Sequence, residues 1–318
     1  MSTPLPGHRR RALVAVIAIG LGLAAAPVFF QMFTRAPGGG DMITSFRAYM
    51  TEARIDQFQG YLGEISAAQR ETATNDVTSG NRYPAVAEFK RKWPGINSDM
   101  TAMLTTMRAN IDNYNGVAAL PPFWLFPFFF VLPGLLVAGA ATWTLVADRR
   151  DAPVGRRLAV LSGLGLAIVA APLVFQMFTR APGGAEMIDA FRPLMTDTKV
   201  TKVQGYFLVI GSAEGQFRTE LSHQTAALPA VGQLSRDWPH ISAEMAPMIG
   251  TMADNLDNFN GVAALPPFWL FPWFFVVPGL LIAGLAEAAR RRTKVRPATE
   301  NLTAASPPSP TPIERSLT

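Results

Sequence analysis

Two segments of this chain occur twice, at the same displacement along the sequence. Residues 30–39 (FQMFTRAPGG) return at 175–184, and residues 115–127 (NGVAALPPFWLFP) return at 260–272. Both pairs are 145 residues apart. The two halves therefore align without a net gap. A repeat constrains the fold before composition does, because each copy must form the same structural unit. The sequence predicts a duplicated architecture.

Each copy begins and ends in an uncharged apolar stretch. These stretches are residues 12–33, 123–146, 158–178 and 268–286. About 20 apolar residues suffice for a helix to cross the hydrocarbon core of a bilayer. The stretches are continuously apolar rather than alternating, which disfavours the strands of a membrane barrel. They predict an all-α membrane protein with four transmembrane helices.

The first stretch also resembles a secretory signal. Its basic start precedes an apolar run, and small residues at Ala24, Ala25 and Ala26 mimic a cleavage site. However, Pro27 would follow the cut, and the matching stretch 158–178 lies in the middle of the chain. We expect the first span to be retained.

Charge predicts the orientation. Segments 1–11, 147–157 and 287–318 together hold thirteen Lys and Arg against five Asp and Glu. Loop 34–122 holds nine basic and nine acidic residues, and loop 179–267 holds six and nine. Because basic flanks stay inside, we predict a multi-pass cell-membrane protein with cytoplasmic termini and two extracytoplasmic loops. The high pI therefore reflects topology, and nothing indicates nucleic-acid binding.

The long loops carry helical patterns. One apolar stripe recurs at spacings of three and four, and it comprises Met100, Met103, Leu104, Met107, Ile111 and Tyr114, with twins at Met245, Met248, Ile249, Met252, Leu256 and Phe259. Asn97 and Ser242 could cap the helices bearing this stripe, and Thr51 could begin an earlier one. The pairs Trp93-Pro94 and Trp238-Pro239 predict breaks. We expect the stripes to form a core shared by both copies.

These patterns define the domains. Repeat 1 covers 12–146 and repeat 2 covers 158–286, each with an extracytoplasmic helical hairpin in its loop. Residues 1–11 form a cytoplasmic N-terminus and 147–157 a cytoplasmic linker. The tail 287–318 is rich in Pro, Ser and Thr from residue 297 onward, which predicts a disordered cytoplasmic segment.

Candidate contacts to lipid headgroups follow the first and third spans. Arg35 and Arg180 precede a Pro-Gly-Gly sequence that we interpret as a hinge. A guanidinium at the interface suits a phosphate, but an interface anchor or a salt bridge to Asp112 or Asp257 is the favoured alternative.

Aromatic residues mark the start of the second and fourth spans. Trp124 and Trp269 predict an interfacial belt or, as the sharper hypothesis, a lipid-binding cleft. Within these spans, Gly134 with Ala138 and Gly279 with Ala283 place small residues four apart. Such spacing predicts close helix contacts.

The sequence offers no catalytic, cofactor or metal motif. It has no Cys and three His, and its acidic-amide clusters at 112–115 and 257–260 hold one carboxylate each. A hydrogen-bonding role suits these clusters better than a cation site. No ionisable residue lies inside a span, which argues against an ion-coupled transporter.

The two repeated segments resemble those of a group of uncharacterised actinobacterial membrane proteins with duplicated two-span units and helical extracytoplasmic domains. The resemblance implies no activity. We expect a non-enzymatic envelope protein that binds membrane lipids and another membrane or envelope protein, as a scaffold or accessory subunit. The alternative is a passive transporter or lipid-handling protein with a path between the repeats.

Overall fold

A computed structural model describes residues 7–75, 82–150, 152–221, 223 and 227–294. Within these ranges the chain is helical, with short turns between helices and no strand. The predicted all-α class is confirmed. The helices of the first half are α1 (Gly7–Phe29), α2 (Met32–Phe46), α3 (Glu52–Thr74), α4 (Pro84–Ala109), α5 (Ile111–Ala118) and α6 (Phe126–Arg149). Those of the second are α7 (Gly155–Val174), α8 (Met177–Phe191), α9 (Asp197–Glu220), α10 (Pro229–Asp254), α11 (Leu256–Ala263) and α12 (Trp273–Lys294).

Four helices are long and apolar enough to cross a membrane. They are Gly7–Phe29, Phe123–Arg149, Gly155–Val174 and Phe268–Arg291, where the second and fourth begin with a short 3₁₀ turn. The four apolar helices predicted from the sequence are therefore present, with shifted ends. The first and third end about four residues earlier than predicted.

The predicted hinge at Pro-Gly-Gly is wrong. Pro37 and Pro182 lie inside α2 and α8, and the following glycines are helical. The chain instead breaks just before these helices, where Gln31 and Gln176 have φ of 54° and 53°. This left-handed conformation is uncommon outside glycine, and it separates α1 from α2 and α7 from α8.

The predicted N-caps have mixed outcomes. The Thr51 side chain accepts a hydrogen bond from the Arg54 amide, and Thr196 does the same in the second half. Asn97 and Ser242, by contrast, lie inside α4 and α10, so their prediction as caps is wrong.

The breaks predicted at Trp93-Pro94 and Trp238-Pro239 are absent. Both prolines lie within continuous helices, α4 and α10. The adjoining tryptophans are 2% and 9% exposed. Burial of these large side chains outweighs the local cost of a proline.

The structure divides into two compact units. The span unit comprises the described residues within 1–24, 132–170 and 276–318, and the hairpin unit comprises 25–131 and 171–275. In the span unit, a Cβ placed on Gly20 would lie 2.8 Å from the carbonyl oxygen of Gly134. A Cβ placed on Gly165 would lie 2.7 Å from that of Gly279. The predicted close contacts are confirmed.

The hairpin unit is built from reciprocal contacts between the two halves. Helix α3 packs on α4 and α10, while α9 packs on α10 and α4. Likewise α2 packs on α11, and α8 packs on α5. One continuous apolar core draws buried residues from both halves, including Met103 and Met248 at 1% and 0% exposure. The predicted burial of the methionine stripes in a shared core is confirmed.

The C-terminal segment is partly ordered. Helix α12 continues to Lys294, so the prediction of disorder is wrong for residues 287–294. The alanines and arginines at 288–292, which are good helix formers, continue α12 past its apolar part. The predicted disorder of 295–318 lies outside the described residues.

Candidate functional site

Helices α2 and α8, one from each half, line a first apolar cavity of about 40 Å³. Its lining is nearly symmetric between the halves, and it consists of Met42, Ile43, Phe46, Met50, Tyr114, Met187, Ile188, Phe191, Met195 and Phe259. Methionine side chains can adjust to irregular apolar shapes. The cavity can therefore accept an apolar group.

A second apolar cavity of about 40 Å³ lies along the same two helices. Its lining comprises Met32, Ala36, Val117, Leu120, Phe123, Phe126, Met177, Ala181, Gly184, Leu265, Phe268 and Phe271. Small residues such as Ala36 and Ala181 leave this space open. At about 40 Å³ each, both cavities have room for a few apolar atoms and are smaller than the roughly 300–1,000 Å³ typical of small-molecule sites.

One stripe of α2 reaches both cavities. Met32 and Ala36 line the second cavity, and Ile43 and Phe46 line the first. Between them lies Gly39, where an added Cβ would come within 3.1 Å of Val262 in the other half. Spacings of three and four put all five residues on one helix face. The continuation of this stripe to Met32, Ala36 and Gly39 is the signal that sequence reasoning missed.

Tyr114 closes one side of the first cavity. It is 4% exposed, and its hydroxyl donates to the carbonyl oxygen of Ile43. Burial raises the pKa of this hydroxyl, so it stays a neutral donor. The one polar group on the wall is therefore satisfied, and the cavity presents an apolar surface.

An open groove of about 360 Å³ adjoins both cavities in the first half. It shares Ile43 with the first cavity and both Leu120 and Phe123 with the second. The rest of its lining is Pro37, Gly40, Asp41, Thr44, Arg47, Ala118, Pro121, Pro122 and Trp124. This groove combines charged and apolar walls.

The two arginines predicted to bind lipid cap helices of the opposite half. Arg35 donates to the carbonyl oxygen of Ala264 at 3.1 Å, and Arg180 donates to that of Ala119 at 3.1 Å. These alanines terminate α11 and α5. A cation there satisfies a free carbonyl and opposes the helix dipole. The expected salt bridge to Asp112 or Asp257 is not formed, and lipid contact stays a prediction.

The two tryptophans predicted as interfacial are exposed. Trp124 is 58% and Trp269 53% accessible. Trp124 lies in the groove and contacts the edge of Phe128, with ring centroids 6.5 Å apart. A large exposed indole beside apolar space is suited to a lipid contact.

Charged groups tie the hairpins together, and the two halves use different residues. Asp99 accepts hydrogen bonds from Lys199 at 2.6 Å and from the Tyr206 hydroxyl, and Lys202 lies 3.2 Å away. Despite partial burial, these donors lower the pKa of Asp99 to about 2. The corresponding pair in the other hairpin is Arg54 and Glu244.

Half-buried Glu64 and buried Glu214 are two carboxyl groups outside the cavities and the groove. Burial raises the pKa of Glu64 and Glu214, and one oxygen of each lacks a hydrogen-bond partner. They are not repeated, since Val209 and Gln69 occupy the matching positions. Across the described ranges, no group of three or more His, Asp or Glu side chains could hold a metal ion. Neither glutamate is associated with a cavity or groove described above.

No protein-family model matches this chain, and no curated protein matches it significantly.

Proposed function

We propose that this chain is a non-enzymatic, multi-pass membrane protein that holds the apolar chain of a lipid between its two halves. The observation that carries the proposal is the pair of apolar cavities along α2 and α8. Their walls come from both halves, as the alternative reading of the sequence requires. Each cavity of about 40 Å³ can take a short apolar segment, and its apolar walls favour such an occupant over water.

The proposed topology places both termini in the cytoplasm and both hairpins outside the cell membrane, as tandem repeats of one unit. The distribution of basic residues supports it. Arg9 and Asp148 also form an ion pair at 2.7 Å, which joins the two ends of the first repeat. Both residues then lie on the cytoplasmic side.

Thiol labelling tests this topology, because the chain has no native cysteine. Ser98 and Gly155 are exposed, and a Cβ on Gly155 meets nothing within 4 Å. In intact cells, an impermeant reagent should label Ser98→Cys and not Gly155→Cys. Labelling of Gly155→Cys alone would show that the orientation is the opposite of the proposed one.

Filling the second cavity tests the lipid-holding role. Ala36→Leu with Ala181→Leu should reduce the lipid retained through purification in mild detergent, measured by native mass spectrometry. Leucine adds three carbon atoms to each wall and occupies the space that a chain would use. Ala102 is exposed on α4, so Ala102→Leu is the matched control and should retain lipid like the unmodified protein.

Equal lipid retention by the filled variant and its control would remove the lipid-holding role, provided that both keep the same melting temperature. The scaffold role expected from the sequence would then be the better proposal. It has less support because, among the described residues of α3, α4, α9 and α10, only Leu208 is an exposed large hydrophobic side chain. A scaffold would have to bind its partner through polar surface.

A further inference from the structure

The groove beside the two cavities carries charge of both signs. Arg47 and Asp41 both line it, and both are exposed. Asp41 and Thr44 lie on α2, Arg47 caps the C-terminal end of this helix, and Trp124 forms part of the facing wall. An occupant therefore meets one cation, one anion and one exposed indole in a single groove.

Arg47 is available to a ligand in a way that its counterpart is not. In the second half, Arg192 pairs with Asp189 at 3.4 Å. The position matching Asp189 is Thr44. Among the described residues, no carboxylate lies within ion-pair distance of Arg47, whose guanidinium is instead beside the Tyr114 hydroxyl. The Arg47 guanidinium can donate hydrogen bonds to a phosphate without first breaking an ion pair.

Asp41 narrows the choice of headgroup. A purely anionic headgroup would meet Arg47 favourably but would be repelled by the nearby carboxylate. A phosphate linked to a primary ammonium offers each side chain its opposite charge. Three N–H donors on that ammonium can bond to a carboxylate, which a trimethylated ammonium cannot do.

We propose that the groove binds the phosphoethanolamine headgroup of a phospholipid, with Arg47 on the phosphate and Asp41 on the ammonium. The acyl chain then passes Ile43 or Phe123, which the groove shares with the two cavities. Trp124 lies where headgroup and chain meet. This headgroup site rests on the proposed lipid-holding function, because a headgroup without a chain would have no use for the cavities.

Native mass spectrometry of the detergent-purified protein tests the site. The full chain is titrated separately with dioleoyl phosphatidylethanolamine, phosphatidylglycerol, phosphatidylcholine and dioleoylglycerol. Phosphatidylethanolamine should bind most tightly. Arg47→Gln should weaken its binding about tenfold, the scale of one charge-assisted hydrogen bond, and leave dioleoylglycerol binding unchanged. Asp41→Asn should remove the preference over phosphatidylglycerol.

The second half supplies matched controls. Arg192→Gln and Glu186→Gln occupy the corresponding positions and should leave the lipid preference unchanged. Equal effects of Arg47→Gln and Arg192→Gln, or tighter binding of phosphatidylglycerol to the unmodified protein, would overturn the headgroup site. Retention of dioleoylglycerol in that case leaves the lipid-holding function standing. If none of the four lipids binds, both the headgroup site and the lipid-holding function are wrong.

Discussion

The span unit and the hairpin unit use glycine for different kinds of contact. In the span unit, Gly20 packs against the backbone of Gly134, which lies on another helix of the same half. In the hairpin unit, a Cβ on Gly38 would lie 2.6 Å from the Asn258 side-chain oxygen, and one on Gly183 equally close to that of Asn113. Those asparagines belong to the opposite half. In the span unit, the tight glycine contacts therefore join helices of the same half. In the hairpin unit, they join helices of opposite halves.

This difference follows from the surroundings proposed for each unit. Helices in lipid gain little from burying apolar side chains, so close backbone packing and dispersion hold them together. Helices in water are driven together by apolar burial, and the shared core at Phe89 and Phe217 supplies it. The cohesion of the two halves should therefore depend more on the hairpin unit than on the glycine contacts of the spans.

The largest effect should come from the core between the halves. Phe89 and Phe217 are both fully buried, with ring centroids 6.2 Å apart in an edge-to-face arrangement. Phe217→Ala should destabilise the hairpin unit by roughly 3–5 kcal/mol, through lost burial and a residual cavity. Chemical denaturation followed by circular dichroism measures the loss. Leu208 is 72% exposed on the same helix, so Leu208→Ala should cost under about 1 kcal/mol. Similar losses for the two variants would mean that the halves are not joined by this core.

A smaller loss is expected in the span unit. Gly134→Leu places a side chain against Gly20 and Ala24, whose backbone atoms would lie 2.6 and 2.7 Å from the new Cβ. The helix pair should lose about 1–3 kcal/mol, as overpacked cores do. Gly139 has nothing within 4 Å of its added Cβ, so Gly139→Leu is the control. Unfolding in increasing sodium dodecyl sulfate compares them, and an unchanged midpoint for Gly134→Leu would refute close span packing.

Acid should weaken the hairpin unit through Asp99. The Lys199 ammonium and the Tyr206 hydroxyl contribute to lowering the pKa of this carboxyl from 3.8 to about 2. A lowered folded-state pKa gives stability above pH 4 that is lost as pH falls toward 2. The expected loss is about 1–2 kcal/mol after allowance for solvent screening. Melting temperatures from pH 5 to pH 2 should fall less in Asp99→Asn than in Asp112→Asn. Parallel curves for the two variants would show that Asp99 is not the responsible group.

The smallest effect tests the contact at Gly38. Gly38→Ala should destabilise by about 1 kcal/mol, because its Cβ meets the Asn258 side chain. Gly116→Ala should instead stabilise by about 0.5–1 kcal/mol, since Gly116 is helical with open space around it. Adding Asn258→Ala to Gly38→Ala should recover most of the loss in a double-mutant cycle. If the effects of the Gly38 and Asn258 substitutions simply add, the two residues do not contact each other.

Local rules predicted several details correctly. Thr51 begins a helix as its capping chemistry requires. Gly134 and Ala138 pack closely, as small residues four apart indicate. The methionine stripe at Met103 is buried, because its spacing already placed it on one helix face. Each of these depends on neighbours in sequence or on a periodic pattern.

Local sequence rules failed where contacts between the two halves outweigh the helix propensity of single residues. Pro37 and the glycines after it are poor helix residues, yet they lie inside α2 because Gly38 and Gly39 admit Asn258 and Val262. The cap that Arg35 provides for α11 could not be predicted either, since its partner Ala264 is 229 residues away. Propensity describes a helix in isolation, while these contacts exist only after the halves meet.

The sequence by itself determined the four apolar helices, the 145-residue displacement and the burial of the methionine stripes. Those features follow from hydropathy and periodicity, which are properties of the chain alone. Only the tertiary structure decided that α2 faces α8 across two apolar cavities and that a charged groove adjoins them. Cavities are spaces between side chains from distant segments, so their size depends on how those segments pack.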